Sequence, residues 1–182
     1  MIKENTIHIA EYSQILSQII NELFENTFLK DYGPASLSKT QFSTLRILAA
    51  AGTHAVSEIA DILHISRAAA SKNVEKLFRQ KLVNRKVVKE DRRIVQVSLT
   101  VAGETLINAY EQMSLKKQDE ALAKFSVKER IIFSELLGKY VRNCLHNENN
   151  VEAICMQCKG NLGEDCTIGE FNENCRHFLK TS

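Results

Sequence analysis

Apolar side chains recur at intervals of three and four residues along most of this chain, and the places where that rhythm stops or changes divide it into elements. Between residues 7 and 29, Tyr12, Ile15, Leu16, Ile19, Ile20, Leu23 and Phe24 fall on one wide face of a helix. Asp31-Tyr32-Gly33-Pro34 reads as a turn. Ser38 and Gln41 then have capping-box spacing for a helix through Ala51, with Phe42, Leu45 and Leu48 inward and Gly52-Thr53 ending it. A short helix is expected from Ser57 to Leu63, followed by a tight turn at His64-Ile65. Ser66 is placed to cap a second helix to about Gln80, with Ala69, Val74, Leu77 and Phe78 directed inward.

The period then changes. Leu82 to Val88 reads as a strand, and Val95, Val97 and Leu99 alternate with Gln96 and Ser98 in another. Lys89 to Arg93 forms a charged hairpin tip between them. Two helices joined by a tight turn and followed at once by a β-hairpin outline a winged helix-turn-helix. Helical spacing returns after Thr100, a cap for a long helix to about Lys124 that carries Leu106, Tyr110 and Met113 on one face. Ser126 and Glu129 form a second capping box for a last helix, striped by Ile132, Phe133, Leu136, Leu137, Tyr140, Val141, Cys144 and Leu145. The expected fold is therefore mainly α with a small β-hairpin wing (α+β). The helix-turn-helix lies at about 55–80 and the wing at about 83–99, within a unit spanning 1–148. The first and last helices are more apolar than such a unit can bury alone, so they are expected to join a homodimer.

Composition narrows the function. The chain has 182 residues, 44% hydrophobic and 25% charged, with a single proline, as suits a soluble, helix-rich protein. Its first residues lack the basic and apolar regions of a signal peptide, and no apolar run approaches the ~18 residues of a membrane span; a cytoplasmic protein away from membranes is expected. The net charge is only +2, yet from His64 to Arg93 ten basic residues face three acidic ones. A local surplus of that size is the footprint of a phosphate-backbone contact, so double-stranded DNA is the expected partner.

Within the basic stretch, Ser66-Arg67-Ala68-Ala69-Ala70-Ser71-Lys72-Asn73 would form the start of the recognition helix. Small residues between polar ones let its backbone approach a major groove, so Ser66, Arg67, Ala70, Ser71, Lys72 and Asn73 are the candidate contacts. At the hairpin tip, Arg92 and Arg93 are candidates for a narrow minor groove, with Asp91 as a support that holds an arginine in position. Asp91 to Gly103 reads D-x-R-x-x-x-V-x-L-T-x-x-G. With Leu37-Ser38-Lys39-Thr40-Gln41-Phe42 and Ser57-Glu58-Ile59-Ala60, this pattern resembles the MarR family of bacterial winged-helix repressors over residues 7–146. The resemblance implies a homodimer on a palindromic operator, Arg93 in the minor groove with Asp91 supporting it, and Ser66 to Asn73 as the reading surface. It also implies a small-molecule effector, which these residues do not identify. One position departs: Lys81 stands where the family usually has glycine, at the turn into the wing, where a lysine can adopt the left-handed conformation at a modest cost.

Residues 149–182 lie outside that pattern and form a cysteine-rich tail. Cys155, Cys158, Cys166 and Cys175 are spaced C-x2-C-x7-C-x8-C, and the tail has too few large apolar residues to order itself without a staple. Four thiolates suit a metal centre. Zinc is placed ahead of a [4Fe–4S] cluster, and a metal-free thiol switch behind both. Cys144 continues the apolar stripe of the last helix and is expected to be a buried structural thiol. The tail would tune DNA binding through its metal or redox state; the alternative is a DNA-bound adaptor whose zinc-stapled tail recruits a protein partner. A thiol oxidoreductase using Cys155 and Cys158 lacks the βαβ context such enzymes need, so no enzyme is expected.

Overall fold

The computed structural model describes residues 2–32, 37–89 and 91–145. Gly33-Pro34 of the first turn, Glu90 of the hairpin tip, and the linker and cysteine tail lie outside the described residues. Among the described residues, eleven elements follow one another: α1 (Ile2–Ile19), a π-helical stretch (Ile20–Asn26), α2 (Thr27–Asp31), α3 (Lys39–Ala51), β1 (His54–Ala55), α4 (Val56–Ile62), α5 (Arg67–Arg79), β2 (Val83–Val87), β3 (Val95–Leu99), α6 (Val101–Ala121) and α7 (Val127–Leu145).

The helix boundaries are set by caps that the sequence announces. Ser38 Oγ accepts the Gln41 N–H while Gln41 Oε1 accepts the Ser38 N–H, a complete capping box opening α3. Gly52, at φ 78°, closes that helix. Ser66 Oγ accepts the Ala69 N–H and opens α5. Ser126 and Glu129 satisfy each other's backbone N–H groups at the start of α7. The Ser126 hydroxyl and N–H together hold the Glu129 carboxyl below its ordinary pKa.

Phe42, Leu45, Ile59, Leu77, Val97 and Ile107 are among the fully buried side chains, so α3, α4, α5, α6 and the sheet share one core. The sheet is antiparallel, in the order β1-β3-β2, with Val83 opposite Leu99 and Val87 opposite Val95. The strand β1 is not signalled by periodicity. It is two residues long and pairs His54 with Val97, so alternation has no length in which to show.

Four expectations need correction. The first helix is not one regular α-helix: it widens into a π stretch from Ile20 to Asn26. Wider winding frees carbonyls, and donors from outside the ladder meet them, Thr27 Oγ1 at Glu22 O and Lys117 Nζ of α6 at Leu23 O. In α5 the inward positions are Ala70, Val74 and Leu77, whereas Phe78 is 46% exposed. The buried arc runs along i, i+4, i+7 from Ala70, which turns Phe78 toward the wing. Ala70 is 1% exposed and so packs the core and cannot reach a base edge. Cys144 is exposed, not buried, because α7 buries no residue against the other described residues.

Candidate nucleic-acid interface

The reading helix and the wing are held to each other at one corner. Lys81 adopts φ 59°, the left-handed turn in which the family usually has glycine, and its carbonyl accepts the Thr100 hydroxyl at 2.7 Å. Thr100 also caps α6 by accepting the Gly103 N–H, and its own N–H donates to Leu82 O at 3.1 Å. One threonine thus fastens the end of α5, the root of β2 and the start of α6. Gly103 is required there, since a Cβ would overlap the Leu82 carbonyl oxygen.

From that corner two arms extend. Along α5, Arg67, Ser71 and Lys72 are exposed, Asn73 is half-buried, and Ser66 caps the helix from an exposed position. Ala68 is exposed beside them, so the first two turns present a thin edge between polar groups. Along the hairpin, the ladder runs past the strands through Val88 N–H to Ile94 O and Ile94 N–H to Asp91 O, both at 3.0 Å. Asp91 Oδ1 accepts the Arg93 backbone N–H at 2.9 Å and lies 3.9 Å from Arg93 Nε. Asp91 therefore shapes the tip mainly through the backbone and only weakly through the guanidinium. The Arg93 side chain is 94% exposed, free to extend beyond the protein surface, and Arg92 is exposed beside it.

The arms enclose a cleft of about 340 Å³ into which Ser57, Arg67, Ser71, Arg85 and Arg93 face. Of these, Arg85 and Ser57 were not singled out from sequence. Arg85 lies on the same side of β2 as the buried Val83, two residues on; a basic residue at a position where alternation calls for an apolar one was the available signal. Three arginines lining one cleft form a site for a polyanion. Among the described residues no group of His, Cys, Asp and Glu is arranged to hold a metal ion, and no helix is long and apolar enough to cross a membrane. The four tail cysteines lie outside the described residues.

Comparison with known proteins agrees with this geometry. The family model described as MarR family matches residues 37–95, from the cap of α3 to the first residue of β3. The chain is 32% identical over 99 residues to the HTH-type transcriptional regulator YpoP of Bacillus subtilis (strain 168), covering 54% of this chain and 66% of that one. It is 25% identical over 131 residues to the HTH-type transcriptional regulator PecS of Dickeya dadantii (strain 3937), covering 70% and 79%. Among solved structures, a MarR family protein from Bacillus stearothermophilus aligns with TM-score 0.68 at 20% identity over 79% of this chain and 98% of that one. FabT of Streptococcus pneumoniae, in complex with DNA, aligns with TM-score 0.60 at 15% identity over 77% and 99%.

Proposed function

We propose that this chain, whose residues 37–95 match the MarR family model, is a homodimeric repressor that reads a palindromic operator and is not an enzyme. The N-terminal half of α5 enters a major groove, where Arg67, Ser71 and Lys72 meet base edges and phosphates. The wing tip reaches the adjacent minor groove with Arg93 and Arg92. The observation that carries this reading is the cleft between α5 and the hairpin, lined by Arg67, Arg85 and Arg93, with the Arg93 side chain almost fully exposed.

Homodimerisation is supported by apolar side chains that nothing among the described residues covers. Tyr12, Ile15 and Leu16 on α1 and Ile132, Phe133 and Leu136 on α7 are each more than 40% exposed, which a monomer rarely tolerates over a contiguous face. Ser13 Oγ donates to Tyr140 Oη at 3.2 Å, so the two helices present those side chains together. A two-fold dimer through this face carries two reading helices, which is what a palindromic site requires.

The tail extends the proposal. Cys155, Cys158, Cys166 and Cys175 supply a four-thiolate donor set that suits zinc first and a [4Fe–4S] cluster second. They begin ten residues beyond the end of α7 in the sequence, and a metal-dependent change in the tail would tune DNA binding. Selection of binding duplexes from a random pool tests the DNA assignment: the wild-type chain enriches an inverted repeat, and Arg93→Ala lowers affinity for it about tenfold or more. Absence of any enriched sequence contradicts the assignment. Anaerobic purification with metal analysis tests the tail, with one zinc or about four irons per chain expected and a metal-free protein contradicting it.

A further inference from the structure

The recognition helix carries a single acid, Glu75, in the middle of a surface otherwise built to attract phosphate. A carboxylate there opposes DNA binding unless something neutralises it. Glu75 is flanked by two arginines. Arg79, one turn on, donates from Nε at 3.0 Å, and Arg85 of β2 donates from a terminal nitrogen of its guanidinium to the other carboxylate oxygen. The Arg85 guanidinium also lies over the Phe78 ring, 5.7 Å from its centroid. This contact accounts for Phe78 being exposed on α5: the ring serves as a platform for an arginine of the wing.

The placement along β2 gives the bridge its purpose. Val83, Arg85 and Val87 share one side of the strand; Val83 is buried, and Val87 is 50% exposed. Along β2 the hydrophobic attachment therefore ends at Val83, and Arg85 extends it outward through Glu75 and Phe78. Arg85 pairs across the hairpin with the fully buried Val97, so a constraint at Arg85 is passed to both strands. Arg85, Arg67, Ser71 and Arg93 then line the cleft between the arms.

We propose that Glu75 is a positioning residue for DNA recognition: by holding Arg85 on Phe78 it sets the angle between reading helix and wing, and so the width of the cleft that one sugar–phosphate strand crosses between major and minor groove. This rests on the DNA-reading assignment above. The bridge is half-exposed, with side-chain exposures of 36% and 39%, and exposed ion pairs add little to folding stability. Its effect is therefore expected in discrimination between DNA sequences, not in melting temperature.

The test compares Glu75→Gln, Arg85→Gln and the double variant as full-length proteins. Each is titrated with the duplex selected by the wild type and with a random duplex, alongside thermal unfolding. General electrostatics makes opposite predictions for the two single variants, since one gains a positive charge relative to wild type and the other loses one. Positioning makes the same prediction for both. The ratio of affinities, selected over random, falls about fivefold in each single variant, and by no more in the double variant because the two residues act as a unit. Hydroxyl-radical protection at the wing's minor groove weakens in all three, while melting temperatures stay within about 3 °C of wild type. An unchanged ratio in Glu75→Gln, or independent losses that multiply in the double variant, would overturn the role of Glu75 and leave the DNA assignment standing. A wild-type chain that prefers no duplex over random DNA would overturn both.

Discussion

A single methyl group at Gly103 would overlap the Leu82 carbonyl oxygen, and backbone cannot yield as a side chain can. Gly103→Ala is therefore expected to destabilise the domain by about 2–3 kcal/mol, read as a lower denaturant midpoint at unchanged m-value. Lys81 is the opposite case. It holds φ 59° with a side chain that disfavours that region, so Lys81→Gly should stabilise by about 0.5–1 kcal/mol in the same measurement. Tyr110 is a third residue whose surroundings decide its behaviour. It is buried against Phe28 and Phe42 with edge-on rings, and burial, with the Glu25 carboxylate, raises its phenol above its ordinary pKa of 10.0. A folded-state pKa raised above the unfolded one gives stability that is complete below about pH 10 and lost as pH rises through the folded value. Tyr110→Phe should thus remove part of the alkaline loss of stability, seen as a shallower fall of melting temperature above pH 10.

At the scale of elements, what was legible in the sequence and what was not divides along physical lines. Caps were legible because they are local: Ser38 with Gln41, Ser66, Thr100, and Ser126 with Glu129 each close hydrogen bonds three residues away. The wing motif was legible for the same reason, since Asp91, Thr100 and Gly103 each meet a specific backbone requirement. The π-helical stretch was not, because Lys117 and Leu23, which support it, stand 94 residues apart. Strand β1 escaped for want of length. On α5, Val74 and Leu77 are buried as expected, but Ala69 and Phe78 were expected inward and Ala70 outward, which placed Ala70 in the candidate interface and hid Phe78 as a support for Arg85. That support follows from the contact between α5 and β2, and neither element's own pattern reveals it. The apolar stripe of α7 was read correctly as a stripe, yet burial of Cys144 did not follow from it, because a stripe shows where apolar groups point and not what covers them.

At the scale of the molecule, the proposed function divides the chain into a part that reads and a part that assembles. Reading is assigned to α5 and the wing, fastened at Thr100. Assembly is assigned to α1 and α7, whose apolar side chains are exposed among the described residues. Replacing Leu136, 61% exposed, together with Ile132 by glutamate should reduce the assembly from twice the 20.6 kDa chain mass to a monomer by light scattering, with the monomer's helicity retained. Loss of the second reading helix would then weaken operator binding well beyond any single contact. The measurement that tests the central claim most directly is the salt dependence of affinity for the selected duplex, wild type against Arg93→Ala and Arg67→Ala. The account predicts that wild-type affinity falls steeply and linearly on a log–log plot, and that any arginine contacting a phosphate lowers the slope by about one per site when replaced. An affinity indifferent to salt, or unchanged when both arginines are removed, would contradict it.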